Sequence, residues 1–410
     1  MASHTERPEW VSRINLVGDA LGGAAQLVPI DADEMLRAAR AGTGLDDFGP
    51  DDWQEGYRIL VGSINEEAGL NVAGRLLTRA ELVLSLQNRL RVQEEIRQDP
   101  RILEQPVEKP IFICGLPRSG TSVTHELLAL DQRLHEPRAW EVFFSSPAPE
   151  PATYETDPRI PLADAFHKLF DSIAPEYQTM HENGGDLPVE CLYIHMQQFA
   201  SAHFSGCMQV PRYRRWLAQC DWGAVFAYQR RVMQVMQAKM PGKRWIMKSP
   251  NHMERLPALL EAFPDATVIL NHRDPLRSLA SAMSLLETLQ HMRSDAEPVD
   301  FSRSLPAGFA ALHEYVMRQR AAGRVDPARI VDLHYAELMR DPVACLRMVY
   351  DRIGLSFSDH NAELIADYLA RKPAGKHGAH RYRLEDFGVD KAEASAAFAG
   401  YRQHYGIAPE

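Results

Sequence analysis

The sequence predicts an α/β protein in which a parallel sheet is flanked by helices and preceded by a helical N-terminal segment. The first observation is an apolar strand at residues 111–114, followed by a turn rich in glycine and proline and then by apolar residues at helical spacing over 123–130. The second is that the strand patterns 244–248 and 266–270 each end in a polar loop that leads to a helix. The third is the helical spacing of apolar residues over 71–98.

The turn after the first strand has the features of an anion-binding loop. Such a turn directs several backbone N–H groups and the positive end of a helix dipole at one point. The spacing from Gly115 to Gly120 fits the first part of the Walker pattern GxxxxGK(S/T), which predicts a P-loop-like sheet, but Thr121 replaces the Walker lysine. ATP and GTP enzymes rely on that lysine and on bound Mg²⁺. The substitution therefore argues against a kinase and favours a phosphate-like ligand bound without metal.

The side chains of the loop suit a doubly charged 5′ end. Arg118 supplies a cation, and Ser119, Thr121 and Ser122 supply hydroxyl groups. The segment Pro117–Ser122 resembles the 5′-phosphosulfate loop of sulfotransferases that use 3′-phosphoadenosine-5′-phosphosulfate (PAPS), which commonly reads Pro, Lys or Arg, Ser, Gly, Thr, then Thr or Ser. Within that family it is most similar to the bacterial branch with arginine in the loop, which also resembles protein-tyrosine sulfotransferases.

A second anion site is needed because PAPS also carries a 3′-phosphate. Arg273 ends the third strand and Ser281 lies eight residues later, in the next helix. The pair resembles the family's 3′-phosphate motif. By the same resemblance, Tyr335 in the segment 334–342 is expected near the adenine. Together the two sites imply a binding set of Arg118, Ser119, Gly120, Thr121, Ser122, Arg273, Ser281 and Tyr335.

The resemblance implies sulfuryl transfer from PAPS to a hydroxyl acceptor by in-line displacement, with release of 3′-phosphoadenosine-5′-phosphate (PAP) and without metal. Negative charge accumulates on the leaving oxygen, so cations placed there beforehand stabilise the transition state. Arg118 and Lys248 are the expected cations. Lys248 ends the second strand and matches a lysine of the similar tyrosine sulfotransferases.

The acceptor hydroxyl must also lose a proton to a nearby base. Glu141 follows the loop helix at the spacing of the catalytic glutamate in arginine-loop relatives, and it is the expected base. His125, His181 and His252 are rival bases, because each lies near a predicted site loop. The sequence leaves this choice open.

Net charge, cysteine spacing and the lengths of the apolar runs limit the kinds of partner and compartment that are expected. The net charge of −10 argues against a nucleic-acid surface. The five cysteines are scattered without metal-ligand spacing, and no run of about eighteen apolar residues or secretory signal occurs. A cytoplasmic protein is expected, with peripheral membrane contact left open and with no signal for the oligomeric state.

The expected domain organisation is an N-terminal helical segment over 1–105 and a sulfotransferase-like α/β domain over 106–410, with an acceptor-side insertion at 145–215. A loop containing Lys372, Lys376, His377 and Arg381 is expected to close over the 3′-phosphate. A small-molecule or lipid-like hydroxyl acceptor is expected, and the sequence leaves small alcohols, sterols, glycolipids and peptide tyrosines open. A non-catalytic PAP-binding protein of the same fold and a P-loop kinase are the alternative functions.

Overall fold

Residues 7–371 and 383–410, which the computed structural model describes, contain one five-stranded sheet. The strands are β1 Ile111–Gly115, β2 Leu134–His135, β3 Arg244–Lys248, β4 Thr267–His272 and β5 Ile330–His334. Their order is β2-β3-β1-β4-β5, and each neighbouring pair is parallel. This arrangement confirms the predicted α/β fold with a parallel sheet.

Helices surround the sheet and precede it. In chain order they are α1 Glu9–Ala20, α2 Ala24–Leu27, α3 Ala32–Thr43, α4 Gln54–Glu67, α5 Val72–Gln98, α6 Thr121–Leu128, α7 Ala139–Phe143, α8 Arg159–Ile173, α9 Tyr177–Met180, α10 Leu192–Met196, α11 Ala202–Cys207, α12 Pro211–Leu217, α13 Trp222–Gln237, α14 Leu256–Ala262, α15 Pro275–His291, α16 Ser304–Ala321, α17 Tyr335–Arg340, α18 Pro342–Ile353, α19 Asp359–Arg371, α20 Lys391–Ala397 and α21 Ala399–Tyr405. None of the described helices is long and apolar enough to span a bilayer.

The central strand β1 is buried on both faces, because its side chains alternate between two apolar clusters. Phe112 and Cys114 belong to a large cluster that also contains residues of α3, α4 and α5. Ile111 and Ile113 belong to a second cluster, formed with α6 and α18. The continuous apolar run of β1 is thus explained by helices that cover both sides of the sheet.

The N-terminal helices pack directly against the sheet region. The longest, α5, is capped by Asn71, whose side chain accepts a 2.9 Å hydrogen bond from the Gly74 N–H, and it contributes Leu82 and Leu86 to the cluster that holds Phe112. The helical nature of residues 71–98 agrees with the sequence pattern. The domain division at residues 105 and 106 stays a prediction, and the loop with Lys372, Lys376, His377 and Arg381 lies outside the described residues.

The parallel sheet determines where the polar groups meet. The carboxyl ends of β1, β3, β4 and β5 share one edge, as they do in other open parallel sheets that bind ligands there. Gly115, Lys248, His272 and His334 mark these strand ends. The loops that follow them therefore form a single site.

Candidate active site

The loop between β1 and α6 has a backbone shaped to meet an anion. Arg118 and Gly120 have φ angles of 68° and 94°, a region that is strained for residues other than glycine. A Cβ atom at Gly120 would lie 2.4 Å from the Tyr335 ring, so a larger residue would collide with it. The first N–H groups of α6 have no partner within the helix, and Thr121 and Ser122 line the adjoining cavity.

The Ser119 side chain lies under this loop. Its hydroxyl oxygen is buried and has no hydrogen-bond partner among the described residues, while its N–H donates to the Leu116 carbonyl at 3.1 Å. A buried hydroxyl group that makes no hydrogen bond destabilises the folded protein unless a ligand or water molecule bonds to it.

Arg118 connects the loop with the second predicted anion site. Its Nε donates to Ser281 Oγ at 3.1 Å, and its Nη1 donates to the Met180 carbonyl at 2.9 Å. Ser281 lies in α15, directly after the Arg273 loop. The structure therefore brings together residues that the sequence separates by more than 160 positions.

Arg273 lies on the other side of the same junction. Its Nη1 donates to the Arg118 carbonyl at 3.1 Å, and its guanidinium carbon lies 4.1 Å from the centre of the Tyr335 ring. Its Nη2 pairs with the Glu410 carboxylate at 2.8 Å. Arg273 is thus placed as an anion-binding group whose present anion is a side chain of the same protein.

Lys248 is a buried ammonium group at the end of β3. It is 3% exposed, and its Nζ lies 3.2 Å from Ser122 Oγ and 2.9 Å from the Glu190 carboxylate. A buried cation without a partner destabilises the folded protein by about 3–5 kcal/mol, the loss measured when one member of a buried ion pair is removed. Glu190 reaches Lys248 because the Cys191 N–H donates to the Lys248 carbonyl at 2.9 Å.

Glu141 lies in the core rather than at this junction. It is 0% exposed, and its carboxylate bonds to His135 Nε2 at 3.0 Å, to the Tyr154 hydroxyl at 2.9 Å and to the Arg138 N–H at 2.9 Å. Those three bonds satisfy the carboxylate and cap the start of α7. The structure does not bring Glu141 together with Arg118 and Lys248.

The three rival histidines occupy different environments. His125 Nε2 donates to the Ile246 carbonyl at 3.1 Å, and burial lowers its pKa to about 3. His252 is buried between aromatic rings, and burial also lowers its pKa. His181 lines the cavity, and its pKa is lowered by burial first and by Lys248 second. Of the three, His181 is the one that the fold brings to the site.

Arg118, Glu190, Arg273 and Tyr335 line one large cavity, whose volume is about 1260 Å³. An apolar wall of this cavity is formed by a set of side chains from α8, α9, α15 and α16. They are Phe170, Tyr177, Met180, Leu285, Leu289, Phe309 and Leu312. Among the described residues, no group of three or more His, Cys, Asp or Glu side chains is arranged to hold a metal ion.

A buried ionic cluster supports the far side of this wall. Glu81 in α5 pairs with Arg293 at 2.7 Å and with His203 at 3.0 Å. Burial opposes the charge on Glu81, but these two partners overcome it and lower its pKa to about 2. The cluster fastens α5 to α11 and to the end of α15, so the N-terminal helices help to hold the wall in place.

Residues 110–359 match the model of the Sulfotransferase family. The chain belongs to the sulfotransferase family. The matched range includes the glycine loop, Glu190, Lys248, Arg273 and Ser281, which form the site described above.

Individual relatives agree with this membership. The sulfotransferase is 27% identical, over 301 residues, to the omega-hydroxy-beta-dihydromenaquinone-9 sulfotransferases Stf3 of Mycobacterium bovis (strain ATCC BAA-935 / AF2122/97) and Mycobacterium tuberculosis (strain CDC 1551 / Oshkosh). That match covers 72% of this chain and 73% of each relative. The predicted resemblance to bacterial sulfotransferases is therefore confirmed.

Solved structures show the same fold. Sulfotransferase STF9 from Mycobacterium avium matches with a TM-score of 0.83 at 29% identity, covering 92% of this chain and 97% of that structure. STF1 from Mycobacterium tuberculosis H37Rv matches with a TM-score of 0.76 at 29% identity, covering 90% and 98%. Because each match leaves out no more than a tenth of the chain, most of the helical N-terminal part lies within it.

Glu190 is the site residue that sequence reasoning did not select. It lies in the stretch 180–191, which resembles an acceptor-side motif of bacterial sulfotransferases, but that stretch contains three further acids or histidines. Glu190 differs from these neighbours because the backbone hydrogen bond between Cys191 and Lys248, at the end of β3, places its carboxylate beside the lysine. The motif was the available signal, and the choice within it required the tertiary structure.

The environment of His125 leads to a prediction about acid stability. Its folded pKa of about 3 lies below the ordinary 6.5, so the unfolded chain binds a proton that the folded sulfotransferase does not, and stability falls as the pH drops below about 6.5. Between pH 7 and pH 5 this loss amounts to about 2 kcal/mol for His125. The variant His125→Gln, which keeps a donor for the Ile246 carbonyl, is expected to reduce the acid-induced loss by that amount in urea unfolding.

The same variant tests the role of the residue. We expect it to keep its turnover within a few-fold of wild type, because His125 contacts β3 and does not line the cavity. A folded His125→Gln variant without turnover would instead identify His125 as the base.

Proposed function

We propose that this sulfotransferase transfers the sulfuryl group of PAPS to a hydroxyl acceptor without metal and releases PAP. The observation that carries the proposal is the direct link between two anion sites, in which Arg118 donates to Ser281 and Arg273 donates to the Arg118 carbonyl. A donor with phosphate groups at both its 5′ and 3′ positions needs such a pair. Family membership supports PAPS as the donor, because it is the general donor of these enzymes.

The proposed donor position follows from the contacts. The 5′-phosphosulfate would receive hydrogen bonds from the loop at Ser119, Gly120, Thr121 and Ser122, where the N–H groups at a helix start favour anions. The 3′-phosphate would bind Arg273 and Ser281, and Tyr335, which packs against Gly120, would border the nucleoside. These roles are the ones expected from the sequence motifs.

Lys248 is proposed to stabilise the leaving group together with Arg118. Its Nζ already lies 3.2 Å from Ser122 Oγ at the edge of the donor loop, so a small side-chain movement would bring it to the bridging oxygen of the phosphosulfate. Removing one such donor costs about 10²- to 10³-fold in rate in other enzymes. Contacts with Ser122 and Glu190 hold the Lys248 ammonium group in position before the reaction. Stabilisation of the leaving group requires such preorganisation.

We propose Glu190, in place of Glu141, as the base that accepts the acceptor's proton. In the structure its carboxylate is paired with Lys248 at 2.9 Å, and both Glu190 and His181 line the cavity. When the donor draws Lys248 to the leaving oxygen, the carboxylate is released to bind the acceptor hydroxyl. Donor binding would thus prepare the base, and His181 would be the neutral alternative next to it.

The acceptor is proposed to be a hydroxyl group on an apolar, lipid-like molecule. The wall beyond Glu190 is built from Phe170, Tyr177, Leu285 and Leu289, and the cavity of about 1260 Å³ exceeds the roughly 300–1,000 Å³ of single-ligand pockets. It therefore has room for a donor and an acceptor. The Stf3 relatives are named for a hydroxylated menaquinone, which is an acceptor of this class.

We propose a cytoplasmic location because the cysteines form no disulfide bonds among the described residues. All five are free thiols, and Cys114, Cys191 and Cys207 are buried. Proteins of oxidising compartments more often carry paired cysteines.

The donor proposal is tested by calorimetric titration at fixed salt. PAP is expected to bind at micromolar or lower concentration without divalent cations, and Arg118→Ala and Arg273→Ala are each expected to weaken it about 10- to 100-fold, the loss typical of a charged hydrogen bond. ATP with Mg²⁺ is the comparison ligand. A preference for ATP with Mg²⁺ would favour the kinase alternative, and unchanged PAP affinity in Arg273→Ala would remove the 3′-phosphate assignment.

The base is tested with two isosteric variants. Glu190→Gln is expected to lower turnover about 10²-fold or more with little change in PAP affinity, because it removes the proton acceptor and keeps the shape. Glu141→Gln is the matched control, expected to lower the melting temperature and to keep turnover per folded molecule within a few-fold. The opposite pattern would return the role to Glu141, and PAP binding without turnover in wild type would favour the non-catalytic alternative.

The contact between Arg273 and Glu410 gives a third prediction. A donor 3′-phosphate must displace the Glu410 carboxylate, so Glu410→Gln is expected to tighten PAP binding by about two- to fivefold, the range of a partly exposed ion pair. Glu385→Gln, at an exposed acid elsewhere, is the control and should leave the affinity unchanged. Equal affinities in wild type and Glu410→Gln would show that the two anions do not compete.

A further inference from the structure

Exposed apolar side chains are concentrated on one part of the sulfotransferase. Among residues 7–371 and 383–410, seven of the eleven large apolar side chains that are exposed belong to α8 or to residues 10–27 around α1 and α2. They are Trp10, Leu16, Val17, Leu21, Leu27, Leu162 and Leu169. Single exposed apolar residues are ordinary, but a grouped set indicates an interaction surface.

Helix α1 carries the clearest part of this surface. Trp10, Val17 and Leu21 recur at helical spacing and share a face. Val17 and Leu21 are 52% and 58% exposed, so this face is largely open to solvent. The adjacent line of α1 is the one that packs on the protein, since Val11 is fully buried.

The start of α1 is held firmly against the end of α15. Arg7 Nη2 donates to the carbonyl groups of His291 at 2.7 Å and Ser294 at 2.6 Å, and Arg7 also pairs with Asp295. Helix α15 contributes Leu285 and Leu289 to the cavity wall. The exposed face of α1 is thus fastened to an element of the proposed acceptor site.

One apolar cluster connects the exposed surface with the cavity. Val11 and Ile14 of α1 pack in the same cluster as Phe170, Tyr177 and Leu289, and these last three also line the cavity. Helix α8 contributes to both sides, because Phe170 faces the cavity while Leu169 is exposed. The exposed surface and the apolar wall of the cavity are therefore joined by one apolar cluster.

The charges around this surface are balanced. Arg13 pairs with Glu9 on α1, and Lys168 pairs with Asp164 on α8, while the whole chain has a net charge of −10. Attraction to anionic lipid headgroups needs unpaired basic clusters. A membrane would therefore be bound by apolar insertion, for which an exposed tryptophan beside aliphatic residues on a helix is the usual composition.

We propose that the apolar surface of α1, α2 and α8 docks on the face of a lipid bilayer and places the acceptor cavity at the membrane, where a lipid-like alcohol resides. This inference rests on the proposed lipid-like acceptor, since a water-soluble acceptor would not require it. Binding is peripheral and independent of anionic lipid. A second copy of the chain is the competing occupant, and the experiment separates the two.

The test is flotation of the full-length protein with vesicles of pure phosphatidylcholine, without donor or acceptor. We expect the protein to float with the vesicles equally well at low and high salt, and Val17→Gln/Leu21→Gln to reduce the bound fraction at least about tenfold, since two exposed aliphatic groups are lost. Leu103→Gln/Met348→Gln, at exposed apolar residues far from this surface in sequence and each 41% exposed, is the matched control and should float like wild type. Sedimentation equilibrium of the same three proteins measures self-association.

The outcomes are distinct. Flotation that requires anionic lipid and disappears at high salt would overturn the proposal, as would an absence of flotation. A dimer that Val17→Gln/Leu21→Gln dissociates, without vesicle binding, would assign the surface to a second copy. Because flotation needs neither donor nor turnover, PAP titration on the same preparations tests the proposed function separately, and loss of PAP binding would leave vesicle docking intact.

Discussion

The buried ammonium group of Lys248 is the interaction on which the site depends. A charge removed from water must be paired, and here the pairing connects three separate parts of the chain: the end of β3, the donor loop through Ser122, and the acceptor-side segment through Glu190. The backbone hydrogen bond from residue 191 to residue 248 fixes that third contact. The same group thus joins the two halves of the proposed reaction, with the leaving oxygen on one side and the base on the other.

Local sequence patterns suggested the residues that the structure brings together in the proposed donor half of the site. The glycine loop combines a strand, a turn with two positive φ angles and a helix start within a few residues, so its chemistry can be recognised without a tertiary structure. Arg273 and Ser281 are similarly close in sequence, and the parallel sheet brings their loop to the edge where β1 ends. The central α/β fold was predictable for the same reason, because β1 and β4 have apolar runs typical of strands covered on both faces.

The acceptor half could not be derived in this way. Glu141 has a suitable spacing and an aromatic neighbour, but the chain turns it into the core, where His135 and Tyr154 bind its carboxylate. Glu190 reaches Lys248 through a contact between segments more than fifty residues apart. The apolar wall likewise combines α8, α9 and α15, and the end of α15 is fastened to α5 and α11 by the buried cluster of Glu81, His203 and Arg293. No local pattern contains that information.

The cations of the proposed donor site already have partners within the protein, Lys248 with Glu190 and Arg273 with Glu410. A donor with negative groups at both ends can replace these partners, so neither cation loses a counter-charge. Under the proposed mechanism donor binding releases Glu190 from its ion pair, which orders donor binding before proton removal from the acceptor.

The most direct test is a crystal structure of the protein with PAP, grown without divalent cations. We expect the 5′-phosphate at the N–H groups of residues 119–122, with Lys248 turned towards it, and the 3′-phosphate on Arg273 and Ser281, with Glu410 displaced. A PAP molecule bound elsewhere in the cavity, or bound at the loop while Arg273 keeps its contact with Glu410, would contradict this expectation.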